Sequence, residues 1–312
     1  MKDRIELLPK DRSFYKANLH CHSTVSDGAF TPEELKSMYM AKGYSVIAFT
    51  DHEICVPHTE LTDDNFVALT GVEIAFGVGG KNKTSVHLCG IARDPEKTME
   101  IPNEESDCAE AIASGVVRLR KENCISTLNH PLWSALSAET LQSLPSPDHM
   151  EVANGFEMIV DGYGTADALY EMELRRGRRF RPLATDDSHR SADGSAGPEY
   201  FRGWTVLCAQ KLCYDSVIEA LEKGHFYAST GPEIRGLWIE NNVLYVETSP
   251  VCGIYVHGTE YRHRKAVTER HNTLCRAEIP LTGFETSDYL FVRLVDENGK
   301  TAWSCPYYFE KV

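Results

Sequence analysis

The length, composition and charge of the chain exclude several classes of protein. With 312 residues, 42% of them hydrophobic and 25% charged, it is typical of a soluble globular protein with one domain of about 200 residues and a smaller one. The formal net charge of -14 disfavours long nucleic acids and anionic membranes as partners and favours a small substrate.

Two further features concern the location of the protein. No apolar run reaches the roughly 18 to 20 residues of a membrane helix, and the N-terminal residues lack the apolar centre of a signal peptide. The ten cysteines are scattered without CxxC spacing, which favours reduced thiols. We therefore expect a cytoplasmic protein that does not bind membranes, and the sequence does not indicate its oligomeric state.

Up to about residue 230 the chain repeats one pattern: a short apolar run, a polar residue at its end, then a loop or an amphipathic helix. This alternation is typical of β/α units, which build parallel sheets or barrels. The first helix is predicted between Thr31, which forms a T-x-x-E capping box with Glu34, and Gly43. Further helical patterns lie near residues 106–122, 163–177 and 214–223.

Apolar runs predict the strands. These runs are "YSVIAF", "FVALTGVEI", "SVHLCGIA", "CISTLNHP", "MEVANGFEMIV", "RPLATDDSH" and "GWTVLC". Because they are continuous rather than alternating, we expect strands covered on both faces. After "FYASTGPEI" (226–234), short alternating strands follow with no helix between them. The sequence thus predicts an α/β domain over 1–230 and a small, sandwich-like antiparallel β domain over 231–312.

Histidines and carboxylates lie at or near the predicted strand ends. In "NLHCHSTVSDG", His20 and His22 are two residues apart, which on an extended chain puts them on one face, roughly 6.5 to 7 Å apart at Cα. The other candidates are Asp27, Asp51, His52, Glu73, His87, His130, Asp187 and His189. Because ligand groups of parallel β/α folds gather at the carboxyl ends of the strands, we expect one shared rim. Such a set suits Zn(II), Mn(II) or Fe(II), and a carboxylate can bridge two ions.

Six phrases in this order, "NLHCHSTVSDG", "AFTDHE", "GVEI", "VHLCG", "NHP" and "TDDSH", resemble the polymerase and histidinol phosphatase (PHP) superfamily of metal-dependent phosphoesterases. The resemblance covers about residues 17–230. It implies a distorted (β/α)7 barrel, followed here by the β domain, and three divalent ions. The implied ligand sets are His20, His22, Glu73 and Asp187 for the first ion, Glu73, His87 and His130 for the second, and Asp27, His52 and His189 for the third.

The resemblance also implies hydrolysis without a serine or cysteine nucleophile. Bridged divalent ions lower the pKa of a shared water and neutralise the oxygens of the substrate. We expect Asp51, Glu73 and His189 to be the catalytic residues, with Asp51 orienting an imidazole or a strand end. A histidine at the rim can protonate the leaving alcohol, but the sequence does not indicate which one.

Some assignments have alternatives. Asp27 belongs to an Asp-Gly pair, which is also a common turn, and Asp186 competes with Asp187, which is favoured because D-x-H spacing puts its carboxylate on the side of His189. The basic segment "RRGRRFR" is more typical of a solvated helix end than of a phosphate site. The candidate substrate contacts are Lys81, Lys83, Asn154 and Arg190.

For the reaction, we expect hydrolysis of a small phosphomonoester of the nucleotide or sugar phosphate type. The β domain resembles the appendage of a PHP subgroup, some of whose members hydrolyse carbamate or other non-phosphate bonds. A carbamate, ester or amide substrate is therefore the alternative. A third possibility, from another class, is a non-catalytic binding module in which the metals are structural.

Overall fold

The structure is a computed structural model that describes residues 4–78, 84–101, 104–106, 109–136, 138–189, 195–269 and 272–309. It is a mixed α/β protein with a large central sheet and short helices. Within the described ranges the helices are α1 Pro32–Met40, α2 Ala109–Lys121, α3 Ala138–Ser143, α4 Gly155–Ile159, α5 Asp167–Arg175 and α6 Tyr214–Lys223, with a 3-10 turn at Thr59–Leu61.

The predicted helices α1, α2, α5 and α6 are confirmed. At the start of α1 the Thr31 hydroxyl accepts from the Glu34 backbone N–H, and the Glu34 carboxylate accepts from the Thr31 backbone N–H, which is the capping box expected from the sequence. In the described part of the chain, no helix is long and apolar enough to cross a membrane.

Strands make up most of the regular structure. Up to residue 230 they are β1 Ile5–Leu8, β2 Ser13–Asn18, β3 Tyr44–Phe49, β4 Ile54–Cys55, β5 Val67–Val78, β6 Thr84–Ala92, β7 Met99–Glu100, β8 Glu104–Ser106, β9 Cys124–Leu128, β10 His149–Asn154, β11 Arg181–Thr185, β12 Trp204–Ala209 and β13 Phe226–Ser229. Beyond it they are β14 Ile234–Glu240, β15 Val243–Val251, β16 Gly253–Gly258, β17 His263–Val267, β18 Leu274–Pro280, β19 Tyr289–Val295, β20 Thr301–Ser304 and β21 Tyr307–Tyr308.

The large sheet runs in the order β11-β10-β9-β6-β5-β3-β2-β12-β13-β20-β19-β16-β17. Neighbours are parallel from β2 through β3 to β5 and from β9 through β10 to β11. The expectation of parallel strands is wrong for β6, which is antiparallel to both β5 and β9, and for β12, which is antiparallel to both β2 and β13. For β6 the reason is the short connection: β5 ends at Val78 and β6 begins at Thr84, whereas a parallel crossover needs roughly a dozen residues or more.

Two contacts link distant parts of the chain. β1 pairs with β14, so residues 5–8 join the sheet built by β14, β15 and β18. The Thr205 side chain on β12 hydrogen-bonds to the Ala184 backbone on β11, with its hydroxyl 3.1 Å from the carbonyl oxygen. The two ends of the run from β11 to β12 therefore lie side by side, and Leu183 of β11 and Leu207 of β12 belong to one buried apolar cluster.

Helix α1 fixes the strand ends near the histidines. Tyr39, fully buried on α1, accepts a hydrogen bond from the Asn18 amide at 2.9 Å and donates one to Asp186 Oδ2 at 2.9 Å. Asn18 is the last residue of β2, and Asp186 directly follows β11. One hydroxyl thus joins a helix to two strand ends.

The Tyr39→Phe variant tests this link. Removing the hydroxyl leaves the buried Asn18 and Asp186 groups each short of one hydrogen bond, so we expect the free energy of unfolding to fall by about 1–3 kcal/mol. Urea unfolding measures it. Tyr163→Phe, at an exposed side chain, is the matched control and should change stability little. Equal stability of Y39F and the unsubstituted protein would contradict the link.

Candidate metal centre

Nine of the histidines and carboxylates predicted from the sequence meet at one rim of the sheet. Most follow the carboxyl ends of parallel strands: His20 and His22 come after β2, His52 after β3, and His130 after β9. His87 reaches the rim differently. Because β6 is antiparallel, His87 lies near the beginning of its strand, paired with Ala75 of β5. The expectation that every member sits at a strand's carboxyl end is therefore wrong for His87.

The first group consists of four buried side chains: His20, His22, Glu73 and Asp187. The Nε2 atoms of the two histidines are 3.2 Å apart and lie 3.2 and 3.0 Å from Glu73 Oε2. The same two nitrogens lie 3.1 and 3.3 Å from Asp187 Oδ1. Four donors at the corners of a tetrahedron about 2.0 Å from an ion are roughly 3.3 Å apart, so this spacing suits a divalent transition metal.

The second group shares Glu73. Its other oxygen, Oε1, lies 3.0 Å from His87 Nδ1 and 3.4 Å from His130 Nε2. Glu73 therefore presents one carboxylate oxygen to each of two groups, which is the arrangement of a carboxylate that bridges two ions.

The third group lies nearer to solvent. The Asp27 carboxylate is 3.7 Å from His52 Nε2, 3.8 Å from His189 Nε2 and 3.7 Å from His22 Nδ1. Its side chain is 52% exposed, unlike the ligands of the first group. His22 thus contributes a nitrogen to this group as well, which the sequence did not indicate.

Buried atoms without partners test whether metal ions fit these groups. Glu73 Oε2, Asp187 Oδ1 and His22 Nδ1 are all buried and have no hydrogen-bond partner. Buried polar atoms are rarely left unpaired, because each costs about 1–3 kcal/mol. Two of these atoms are the carboxylate oxygens that face the imidazole nitrogens of the first group. The donor set and its unpaired atoms fit divalent cations.

The electrostatics of the first group are dominated by burial and by its own charges. For Glu73, burial opposes ionisation, but the neighbouring His20 and His87 outweigh it and hold the pKa of the carboxyl well below its usual range. For His22, burial favours the neutral ring, but Asp187 and Glu73 outweigh it and raise the pKa to about 10. The group therefore stabilises positive charge, which is what a cation requires.

Hydrogen bonds from Glu151 hold the side chains of the first group in this geometry. Glu151, within β10, lies 2.8 Å from His20 Nδ1 and accepts from the His130 backbone N–H at 2.7 Å. It also accepts from Thr185 Oγ1 at 2.7 Å. A carboxylate on Nδ1 fixes the ring orientation and leaves Nε2 free for a metal. The sequence placed Glu151 near a strand end but gave it no role.

Asparagine side chains orient the two carboxylates. The Asn129 amide donates to Glu73 Oε1 at 2.7 Å. Asn154, which was expected to contact substrate, donates to Asp187 Oδ2 at 3.1 Å and caps α4 by accepting from the Glu157 backbone N–H. The structure gives Asn154 a positioning role, and direct contact with substrate stays a prediction.

Asp51 is buried and holds the loop after His22. Its carboxylate accepts from the backbone N–H and the hydroxyl of both Ser23 and Ser26, at 2.7 to 3.1 Å. These bonds fix the segment that leads to Asp27. Among the described residues, the Asp51 carboxylate makes no hydrogen bond to an imidazole, so it orders a loop and not a ring.

The two aspartates of "TDDSH" differ in environment. Asp186 is buried away from the histidines, where it accepts from the backbone N–H groups of Phe201, Arg202 and Gly203. Burial raises the pKa of Asp186 to about 6. Asp187 faces the metal groups in a left-handed conformation with φ of 53°. Its backbone is therefore not extended. Its carboxylate nevertheless lies on the side of His189, as the D-x-H spacing predicts, 3.4 Å from His189 Nδ1.

A cavity of about 150 Å³ opens over the groups. Beside the metal-ligand candidates, it is lined by four residues that the sequence did not single out: Trp133, Phe156, Glu157 and Asp161. Phe156 and Glu157 lie on α4, and the Trp133 ring centroid is 4.9 Å from that of His130. These four residues could not be predicted from the sequence, because they belong to no recognisable motif and only the fold brings them to the rim. Lys81, Lys83 and Arg190 lie outside the described residues.

Comparison with curated proteins finds a partial match. A 5'-3' exoribonuclease of Haemophilus influenzae is 35% identical over 83 residues, which are 25% of this chain and 29% of that protein. The match thus spans less than a third of the relative's length. No family model matches the chain.

Similar solved structures include proteins described as metal-dependent phosphoesterases. A two-domain protein from Bacteroides vulgatus with a PHP-like phosphoesterase part is 15% identical, with a TM-score of 0.48, covering 99% of this chain and 98% of that one. A phosphoesterase from Bifidobacterium adolescentis is 16% identical, with a TM-score of 0.39, covering 55% and 86%. An amidohydrolase from Chromobacterium violaceum with bound sulfate is 16% identical, with a TM-score of 0.38, covering 58% and 90%.

The solved structures that resemble this chain thus include one with a PHP-like metal-dependent phosphoesterase part and one described only as a metal-dependent phosphoesterase.

The Glu151→Gln variant tests the supporting layer. The groups that contact the Glu151 carboxylate, on His20, His130 and Thr185, all donate hydrogen bonds to it, and the NH2 group of a glutamine cannot accept them. His20 then loses its fixed orientation, and we expect metal affinity to fall about 10- to 100-fold. Competition with a chelator measures it. Glu173→Gln, a buried glutamate paired with Arg176 away from the rim, is the matched control and should keep its metal affinity. Unchanged metal affinity in E151Q would show that Glu151 does not support the metal groups.

Proposed function

We propose that the protein is a metal-dependent phosphoesterase that hydrolyses a small phosphomonoester of the nucleotide or sugar phosphate type by attack of a metal-activated water. One observation carries the proposal. The buried Glu73 carboxylate presents its two oxygens to two separate groups of imidazoles, and Oε2 has no hydrogen-bond partner. A bridging carboxylate between two histidine-rich sites is an arrangement suited to hydrolysis by paired ions.

Three divalent ions, of Mn, Fe or Zn, would be held as the sequence predicts. Their ligands would be His20, His22, Glu73 and Asp187 for the first, Glu73, His87 and His130 for the second, and Asp27, His52 and His189 for the third. When bound, such ions lower the pKa of a water and neutralise charge on the phosphoryl oxygens.

The chain's own residues orient this chemistry. Glu151 holds the His20 ring so that Nε2 faces the first group. Asp51 orders the loop that leads to Asp27. His189 lines the cavity beside Asp27, and its Nδ1–H donates to the Asp187 carbonyl oxygen at 2.8 Å, which leaves Nε2 free for the third ion.

The wider architecture is part of the proposal. The contact between β11 and β12 supports closure of the N-terminal strands into the distorted (β/α)7 barrel of the PHP fold. The elements described after residue 231 are all strands, which supports an all-β domain over 231–312, joined to residues 1–230 through β13 and β1. We also propose a cytoplasmic location and no long nucleic acid or membrane partner.

The cavity lining supports a second candidate, hydrolysis of a carbamate, ester or amide by the same metal centre. None of the described residues that line the cavity is a lysine or an arginine. A phosphate-binding pocket commonly includes such a cation, because it pairs with the phosphoryl charge. A neutral scissile group would need none.

Metal-dependent release of phosphate from p-nitrophenyl phosphate tests the first candidate. We expect activity with Mn, Fe or Zn, and a loss of at least about a thousandfold in His20→Ala or Glu73→Ala, because either change removes a ligand of the paired ions. His263→Ala, at an exposed histidine remote from the rim, is the control and should retain activity. Turnover of a carbamate, ester or amide panel by a fully metallated protein that hydrolyses no phosphoester would select the second candidate.

A further inference from the structure

A second cavity, of about 740 Å³, lies at the opposite end of β11 from the metal groups. It is formed where the segment after α5 meets strands β19 and β21, and its lining includes Arg175, Arg179, Tyr289 and Tyr308. β11 is five residues long, so about 16 Å of strand separates the second cavity from the metal groups. A small ligand in the second cavity therefore does not contact the metal groups.

Two tyrosines form one wall of the second cavity. Tyr289 and Tyr308 are directly paired across β19 and β21, with ring centroids 6.1 Å apart. Tyr289 is 1% exposed, and the hydroxyl oxygens of both tyrosines are buried without a hydrogen-bond partner. Burial raises the pKa of each to about 12, so both hydroxyls keep their protons near neutral pH. Because buried polar groups are rarely left unpaired, two such donors in one lining point to a ligand that accepts hydrogen bonds.

Two arginines lie beside these tyrosines. Arg175 opposes the rise in the pKa of Tyr289, and Arg179 opposes that of Tyr308, with its guanidinium carbon 4.7 Å from the centre of the Tyr308 ring. Arg175 also pairs with Glu171, whereas among the described residues no carboxylate pairs with Arg179. This exposed cation is therefore uncompensated in a chain with a formal net charge of -14. A free guanidinium beside two hydroxyl donors suits an anion.

The helix dipole does not account for all of this basic segment. The sequence favours a solvated helix end, and Arg175 fits that interpretation because it lies in the last turn of α5. Arg179 lies four residues beyond the end of α5, where the helix dipole has little effect. Arg178 is already occupied, since its guanidinium donates to the backbone carbonyls of Leu141 and Leu144. Arg179 is thus the arginine of this segment that can bind a ligand without losing an ion pair.

The size and the remaining lining of the second cavity define the ligand further. Pockets for small organic molecules are roughly 300 to 1,000 Å³, so this cavity can hold more than a bare inorganic anion. Asp288 also lines it, and a carboxylate repels a bare phosphate but accepts hydrogen bonds from the hydroxyls of an attached alcohol.

We propose that the second cavity binds a small hydroxylated phosphate ester, whose phosphoryl group contacts Arg179 and the hydroxyls of Tyr289 and Tyr308 while its alcohol hydroxyls face Asp288. No bond of this ligand is broken there. None of the described residues that line the second cavity is a metal-ligand candidate, so the inference holds whether or not the proposed function is correct.

Calorimetry with 3,4-dihydroxybutylphosphonate, which cannot be hydrolysed, tests the proposal. Binding is measured to the metal-loaded protein and to Glu73→Ala, which disrupts the metal groups, so the binding that remains in E73A belongs to the second cavity. In that background we expect Arg179→Met to weaken binding about tenfold or more and Tyr308→Phe about three- to tenfold, because each removes a hydrogen bond to the phosphoryl group. Arg276→Met, at an exposed arginine paired with Glu278 on β18, is the matched control and should leave binding unchanged.

A second measurement does not require a substituted protein to fold. Crystals of the unsubstituted metal-loaded protein are soaked in the phosphonate probe, and we expect its density beside Arg179, separate from any at the metal groups. Weakening confined to R179M and Y308F, or density in the second cavity, supports the inference. Absence of binding to E73A together with an empty second cavity in the soaked crystals overturns it. Equal weakening in R276M also overturns it, because the attraction is then nonspecific.

Discussion

The rest of the site depends on one buried carboxylate. Glu73 is fully excluded from solvent, yet it lies between the imidazoles of two groups. Burying an isolated carboxylate is costly, so a fold can hold Glu73 there only when positive charge surrounds it. Three neighbouring rings, His20, His22 and His130, supply that charge, because the surrounding carboxylates raise their pKa, and divalent ions would supply it more fully. The position of Glu73 thereby dictates which residue types can occupy the strand ends around it.

The fold holds these side chains through a chain of hydrogen bonds that begins in the core. Tyr39 of α1 joins the ends of β2 and β11, and Glu151 of β10 joins the His20 ring to the backbone of His130. Asn129 then fixes the Glu73 carboxylate itself. Each of these residues is buried. The distances among the ligand candidates are therefore set before any ion binds, which is the preorganisation that metal catalysis requires.

Much of this arrangement is predictable from sequence because it is encoded locally. The capping box of α1 and the H-x-H pair are patterns within a few residues, and apolar runs that end in a histidine or an acid indicate strand ends. The direction of β6 was missed, although the short link between β5 and β6 already excluded a crossover helix. Glu157 and the role of Glu151 could not be found, because both depend on contacts between residues far apart in the chain.

Anomalous diffraction from crystals of the metal-loaded protein, recorded at the absorption edge of the bound metal, would locate the ions directly. We expect three ions at the rim, two of them on opposite oxygens of Glu73 and the third beside Asp27. A single ion, or ions bound away from Glu73, would contradict this expectation.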